Sequence, residues 1–433
     1  MRPSTAARAL IVFLTAATLA GVGAGCSTRD RNNPLDPKNR ATRGLLTGFN
    51  VLAGDAVVEL RWTRLSNEGV LGYRVERWRP GGAPAPLPGA QFPEYVAAAE
   101  DPTAKNDSTY VYRLIANLAS GDSVFSPPDT ATPGTRRIAA IVADLPGLVG
   151  LTADARDVLY QLVEKEPYDD LELDEQRGWF WMSLFDEGVV FRRRFNGTRV
   201  GAEIAVAGPA DLTTTPQRGT GWAAIPSEAR VVPMGPDTAL SVPGTPIVGL
   251  GTPRVVEGAK QSATLWIGSD EGVVYRYGIS TETITQSWPF GDRIGAIALD
   301  EAGDAAWIAT RYGDLSDLYY VVFGSTDPPA RVREGLLNVT DLASDPGTRS
   351  VWVSERGAPL AGHGRLSRID QSGITATTLT GIEPYGLGLD QTTGSCWVTD
   401  LASDRLLEVA PSGTILTRSP RLGVPYGVRV YRP

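Results

Sequence analysis

The side chains that most often carry out catalysis are scarce in this chain. His363 is the one histidine, and Cys26 and Cys396 are the two cysteines, among 433 residues. A His/Cys zinc site, a Ser-His-Asp relay and a helical His-Glu-x-x-His motif cannot be assembled from that set, and no Gly-rich phosphate loop occurs. Carboxylates remain. Asp174, Asp300, Asp345 and Asp390 each stand seven residues before a tryptophan (Trp181, Trp307, Trp352 and Trp397), so they fall in register. Oxygen ligands in register suggest a metal ring. Against this, Thr215 and Ala259 replace the Asp before Trp222 and Trp266. An Asp at a turn, accepting nearby backbone N–H groups, accounts for the pattern without a metal. We expect no metal and no cofactor. His363, in a Gly-Ala-Pro-Leu-Ala-Gly-His-Gly segment, reads as a solvated loop residue, and Cys396 beside Trp397 as a small buried hydrophobe.

The elements that position these residues follow from the tryptophans. Trp181, Trp222, Trp266, Trp307, Trp352 and Trp397 recur at 41, 44, 41, 45 and 45 residues, each at the same place in a short pattern such as LASDPGTRSVWVS or LGLDQTTGSCWVT. Self-similarity at that period marks a unit that cannot bury its apolar face alone. Within a unit, strand A is the LGLD-type run, strand B carries the Trp, strand C is a run such as VVYRYGI and strand D one such as GTILTRS, with turn residues between them. This predicts an all-β propeller over 135–433 with the tryptophans as packing between blades. Three runs after Ile138 (IAAIVADL, LVGLTAD, VLYQLVE) lack the Trp, and Pro425-Tyr-Gly-Val-Arg-Val-Tyr copies Pro384-Tyr-Gly-Leu-Gly-Leu-Asp before the chain stops. A C-terminal inner strand pairing with those runs would close the ring and leave no open edge. That gives seven blades, with six as the alternative if the N-terminal runs cap the outside.

Residues 44–134 form a separate block. Val58, Leu60 and Trp62 alternate with polar residues, as do the runs GYRVER and TYVYRLIAN, which is the pattern of half-buried strands in a sandwich. The block resembles a fibronectin type III domain, with Trp62 as the buried Trp of its second strand and Tyr110 as its tyrosine corner. The resemblance implies a spacer or docking module.

At the amino terminus, Arg2 and Arg8 precede an apolar run from Ala9 to Ala20 that leads through small residues to Gly23-Ala24-Gly25-Cys26. Charged-then-apolar order of this length is that of a secretory signal. The site resembles a bacterial lipoprotein cleavage site, although Gly23 stands where Leu is usual. The resemblance implies removal of 1–25 and lipid on Cys26, with 26–43, polar and Pro-containing, as a flexible tether. The membrane is then one partner, and the expected location is the bacterial cell envelope, at the outer membrane or cell surface.

The net charge of −8 argues against nucleic acid, which calls for a basic stripe. The repeat units resemble NHL-type and virginiamycin-B-lyase-like propellers. Enzymes among those families use histidines or clustered carboxylates around a central metal, and the single His363 leaves no histidine-based site of that kind. Because strand A descends and B returns, the D–A and B–C connections share one face, where repeat arrays usually bind. We place Arg311, Tyr312, Glu355, Arg356, His363, Tyr385, Asp400 and Tyr426 there as a candidate binding face, with Arg293 and Asn338 at strand-A entrances. The expected function is non-enzymatic presentation of this face to a protein, peptide or glycan. The alternative is a metal-dependent lyase or lactonase-type hydrolase with carboxylate ligands in the central channel.

Overall fold

The computed structural model describes residues 43–65, 69–144, 146–215, 219–235, 245–357 and 364–432. The segment 1–25, Cys26, the tether up to residue 42, and His363 lie outside the described residues. The described chain is all-β, its only helical elements being two 3-10 turns, Pro226–Glu228 and Glu301–Gly303. It divides into two compact units. One takes the residues up to Val51 with Val58–Ala104 and Ser108–Ala131; the other takes Leu52–Val57, Lys105–Asp107 and the chain from Thr132 onward.

The first unit is built on two antiparallel sheets. Asn50–Ala53, Val58–Arg61 and Ala98–Asp101 form one. Val70–Trp78 lies at the centre of the other, between Ala85–Phe92 and Tyr110–Leu118, with Ser123–Phe125 and Asp129–Ala131 both pairing with Tyr110–Leu118. Trp62 is buried and packs on Tyr73 and Phe92 at centroid distances of 5.7 and 5.5 Å. On the Tyr110–Leu118 strand, the hydroxyl of Tyr112 donates to Asp101 at 2.9 Å, in the protein interior. Tyr110 lies under the Arg77 guanidinium, 4.9 Å from the ring centre.

The second unit contains seven four-stranded antiparallel sheets among the described residues. Their innermost strands are Asp170–Asp174, Asp211–Thr215, Pro253–Gly258, Arg293–Asp300, Val339–Asp345, Pro384–Leu389 and Pro425–Tyr431. Each packs against the next, and Pro425–Tyr431 packs back against Asp170–Asp174, so they form a closed ring around a central channel. We number the blades from the closing one. Blade 1 is mixed: C-terminal Pro425–Tyr431 pairs with Arg137–Val142, followed outward by Gly147–Leu151 and Val158–Val163. Blades 2–7 begin with the other inner strands in chain order. The strand order A to D read from the sequence holds in each, with the tryptophan on the second strand.

Each tryptophan fills the layer between its own blade and the next. Trp181 packs with Leu212 and Ala223, Trp222 with Val256 and Leu265, Trp266 with Ile294 and Ala306. Trp307 meets Leu342 and Val351, Trp352 meets Leu387 and Val398, and Trp397 meets Ile138, Ala140 and Val428. Blade 1 has no tryptophan, and its layer against blade 2 is filled instead by Phe180, Phe195 and Tyr431, with centroids 4.3 to 5.1 Å apart. A large aromatic is thus present at all seven interfaces, in keeping with the apolar area a wide, flat blade must bury. Three of the four in-register aspartates serve the turns. Asp174, Asp345 and Asp390 accept the backbone N–H of Arg177, Gly347 and Thr392 at 3.2, 3.1 and 3.0 Å. Asp300 accepts the hydroxyl of Tyr320 at 2.7 Å. Cys396 is a buried free thiol whose ionisation burial pushes up, so it behaves as a small hydrophobe.

At the closure, Arg136 just ahead of blade 1 reaches into blade 7. It donates to Asp390 at 2.9 Å and to both oxygens of Glu408 at 2.6 and 2.8 Å, with its guanidinium 5.4 Å from the Trp397 ring centre. Both acids are buried. Arg136→Leu leaves the buried Glu408 without its cation and Asp390 with Arg432 alone, and should lower stability by about 3–5 kcal/mol. Urea unfolding of the purified chain checks this, and a loss below about 1 kcal/mol would show that the closure does not depend on the clamp.

Candidate functional site

The inner strands line a channel with a cavity of about 540 Å³. An inner strand would leave backbone donors facing that space, and buried donors need partners. Three aspartates supply them across the blade boundaries. Asp170 accepts the N–H of Leu212 at 2.8 Å, Asp211 that of Val256 at 2.7 Å, and Asp341 that of Leu387 at 2.8 Å. All three occupy one repeat position, eleven residues before the tryptophan. Two residues further along the strand stand Glu172 and Glu257 and, in blade 1, Arg429. Arg429 donates to Glu172 at 3.1 Å and lies 4.0 Å from Asp170.

Burial and neighbouring charges, Arg429 among them, shape the ionisation of Asp211, Glu257 and Asp341. Burial and the neighbouring Asp170 push Asp211 well above the usual carboxylate range. Burial and the charge of Glu172 push Glu257 up to about 8, with Arg429 and Lys260 pulling the other way. Burial raises Asp341 to about 6 against the pull of Arg429 and its two backbone donors. Burial works against the charge of Arg429, but Glu172, Asp170 and Asp341 more than offset it and keep the guanidinium protonated. Among the described residues no three His, Cys, Asp or Glu side chains come together to hold a metal ion.

The face expected to bind has a second cavity, of about 280 Å³, at the channel mouth. It is lined by Arg254, Arg293, Arg311, Arg356, Asn338 and Tyr385, with Arg254, Gly295 and Thr340 common to both cavities. Arg254 donates twice to Asp270, at 2.7 and 2.8 Å; Arg293 lies 3.8 Å from the same carboxylate; Arg356 donates to Glu383 at 2.9 Å. Three of the four arginines therefore share two carboxylates. Arg311 makes no side-chain hydrogen bond or ion pair among the described residues. The Oδ1 of Asn338, in the cavity wall, is buried without a partner.

Of the residues placed on this face from sequence, Arg311, Arg356 and Tyr385 are brought together, with Arg293 and Asn338 from the strand-A entrances beside them. Tyr312 is exposed, its hydroxyl 3.3 Å from Asp317. Glu355 and Asp400 face inward instead. Each ends a Trp strand and ties it to the preceding connection: Glu355 accepts the N–H of Leu337 and a bidentate pair from Arg365, and Asp400 accepts the N–H groups of Glu383 and Ala402. Tyr426 is half-buried and bonds the carbonyl of Tyr168. Arg254 and the channel acids escaped the sequence reading. The acids carry a readable signal, since Asp-Leu recurs on the inner strand at 170, 211 and 341. Arg254 sits in the unit whose first half departs from the repeat pattern, so no register pointed to it.

No model of a known protein family matches the chain, and no curated protein matches it in sequence. Solved structures do match. Hydrazine synthase of Kuenenia stuttgartiensis is 12% identical, with a TM-score of 0.53 over 60% of this chain and 89% of that one. A functionally unknown protein of Desulfotomaculum acetoxidans is 12% identical, with a TM-score of 0.54 over 69% of this chain and all of that one. Apo AztD of Citrobacter koseri is 11% identical, with a TM-score of 0.49 over 68% of this chain and 97% of that one. At such identities the first two likenesses speak to the fold, an all-β architecture of propeller type, and not to chemistry.

Glu257 gives the channel a measurable signature. Its ordinary value is 4.5 and its folded value about 8, so folding favours the protonated form. That contribution is full below the unfolded value and is lost as pH rises through the folded one. Glu257→Gln should therefore be more stable than the parent chain at pH 9 and close to it at pH 5. Thermal melts across that range test the sign; parallel curves for the two proteins would show that Glu257 titrates normally.

Proposed function

We propose that this protein is a lipid-anchored component of the bacterial cell envelope whose propeller is a non-enzymatic binding module. Lipid on Cys26 would hold it to the membrane, at the outer membrane or cell surface, with 26–43 as a tether. The two-sheet unit would act as a fibronectin type III-like spacer. Its three-stranded sheet, its second sheet centred on Val70–Trp78 and its buried Trp62 support that reading. The propeller would present its loop face to a protein, peptide or glycan.

The observation that carries the binding reading is the guanidinium of Arg311, unpaired among the described residues, in a cavity that three further arginines line. A surface cation without an internal partner, beside others only partly neutralised, is free to meet an external anion. The enzymatic alternative draws on the channel carboxyl groups, several with raised pKa values, as sites of acid–base chemistry often have. Their engagement favours a structural role, since Asp170, Asp211 and Asp341 each hold the neighbouring blade's backbone.

Two measurements test the proposal. Feeding cells an alkyne-tagged fatty acid should label the parent protein and leave Cys26→Ser unlabelled; equal labelling would overturn the anchor. On peptide and glycan arrays, the parent chain should retain ligands at least about tenfold more strongly than Arg311→Glu, while Glu257→Gln binds like the parent. Binding lost with Glu257→Gln and kept with Arg311→Glu would move the site to the channel.

A further inference from the structure

We propose that the cavity formed by Arg254, Arg293, Arg311, Arg356, Asn338 and Tyr385 binds a single carboxylate-bearing sugar residue at the end of a glycan, an inference that rests on the binding-module reading above. Three features of the wall select this chemistry together.

The first is charge. Two carboxylates, Asp270 and Glu383, serve three of the four arginines, and the fork of Arg311 has no partner among the described residues. A guanidinium fork matches the two oxygens of a carboxylate. The second is the buried Oδ1 of Asn338, an acceptor with no donor. An ionised carboxylate or sulfate alone cannot satisfy it, because such groups offer acceptors only. A sugar hydroxyl beside a ring carboxylate brings a donor close to its charge, which the Asn338 amide can meet once the side chain turns into the cavity. The third is Tyr385, an exposed ring with the Arg356 guanidinium 6.0 Å from its centre. An aromatic face bordered by hydrogen-bonding groups suits a ring that is apolar on one side and hydroxylated at its edge.

An acidic peptide also brings charge and donors, but the wall has little main chain left to receive it. Extended peptides are held through backbone hydrogen bonds. Here the N–H of Asn338 goes to the carbonyl of Asp314, its carbonyl accepts from Arg356, and the carbonyl of Tyr385 accepts from Thr340 and Ser354. Size and net charge restrict the ligand further. A cavity of about 280 Å³ lies at the small end for ligand pockets, which begin near about 300 Å³. A chain of charge −8 repels a long polyanion while leaving one terminal charge to the local arginines.

The test is titration calorimetry on the full-length protein in detergent, with methyl glucuronide, methyl glucoside, acetate, inorganic phosphate and a short oligoglutamate as probes. Methyl glucuronide should bind at least about tenfold more tightly than the others, and Arg311→Ala should weaken it by about tenfold. Asn338→Ala should weaken methyl glucuronide and leave acetate unchanged; circular dichroism checks that both variants are folded. Equal binding of acetate or phosphate would reduce the cavity to a general anion site and overturn the sugar assignment. Tighter oligoglutamate would assign it to acidic peptides. If no probe binds while the arrays still show ligands lost with Arg311→Glu, the sugar assignment fails and the binding module stands. If neither experiment shows Arg311-dependent binding, both fail.

Discussion

The propeller depends on the pairing of its last strand with its first. Pro425–Tyr431 joins Arg137–Val142 from residues nearly 300 positions away, and without that pairing blade 1 has no inner strand. Two exposed sheet edges would then face each other across a gap, and an unpaired edge is where strand proteins recruit other chains. The closure carries more than a ladder. Arg136 binds two buried acids of blade 7, and Tyr431 enters the aromatic cluster that substitutes for the missing tryptophan. Polar and apolar locks therefore sit on opposite sides of the same blade, one against blade 7 and one against blade 2. So long-range a contact also makes folding slow in principle, since the loop-closure cost precedes the reward.

The repeat made most of this architecture legible. Trp spacing located six second strands, and the copied Pro-Tyr-Gly motif located the seventh inner strand, because each is a packing requirement that recurs with the blade. Charges were harder to place. Glu355 and Asp400 look like loop residues by position, yet both turn inward to satisfy backbone donors of the preceding connection. Nothing in their spacing distinguishes an acid that faces solvent from one that caps a chain segment. The Asp-Leu pairs at 170, 211 and 341 had the reverse problem. Their recurrence was visible, but their role, bonding the N–H of the next blade, becomes apparent only when the blades are set side by side.

The channel then shows how one inner strand serves two ends. At the repeat position twelve before the tryptophan stand Asp169, Ala210, Arg254, Gly295, Thr340 and Tyr385; one residue later come Asp170, Asp211, Val255, Ala296, Asp341 and Gly386. The later layer holds blades together through its aspartates. Where it carries Val, Ala or Gly, no such carboxylate can form, and the wall there is apolar. The earlier layer places one such bond across a blade boundary, from Thr340 to the carbonyl of Tyr385, and its residue type differs in all six blades.

That divergence argues for where recognition resides. A position that each blade needs for packing must keep one kind of residue, as the tryptophans do, and cannot be tuned for a ligand without opening an interface. Four residues after each tryptophan the series runs Phe185, Pro226, Asp270, Arg311, Arg356 and Leu401. Its charged members fall in consecutive blades 4, 5 and 6, next to Arg254 and Arg293. Asp270 holds two of the cations in place, and Arg311 is left without a partner among the described residues. A fold built from near-identical units thus acquires a directional, one-sided charge at its mouth only where the repeat is free to vary. The mouth arginines are confined to three of the seven blades for that reason, while the aromatic layer runs through all of them.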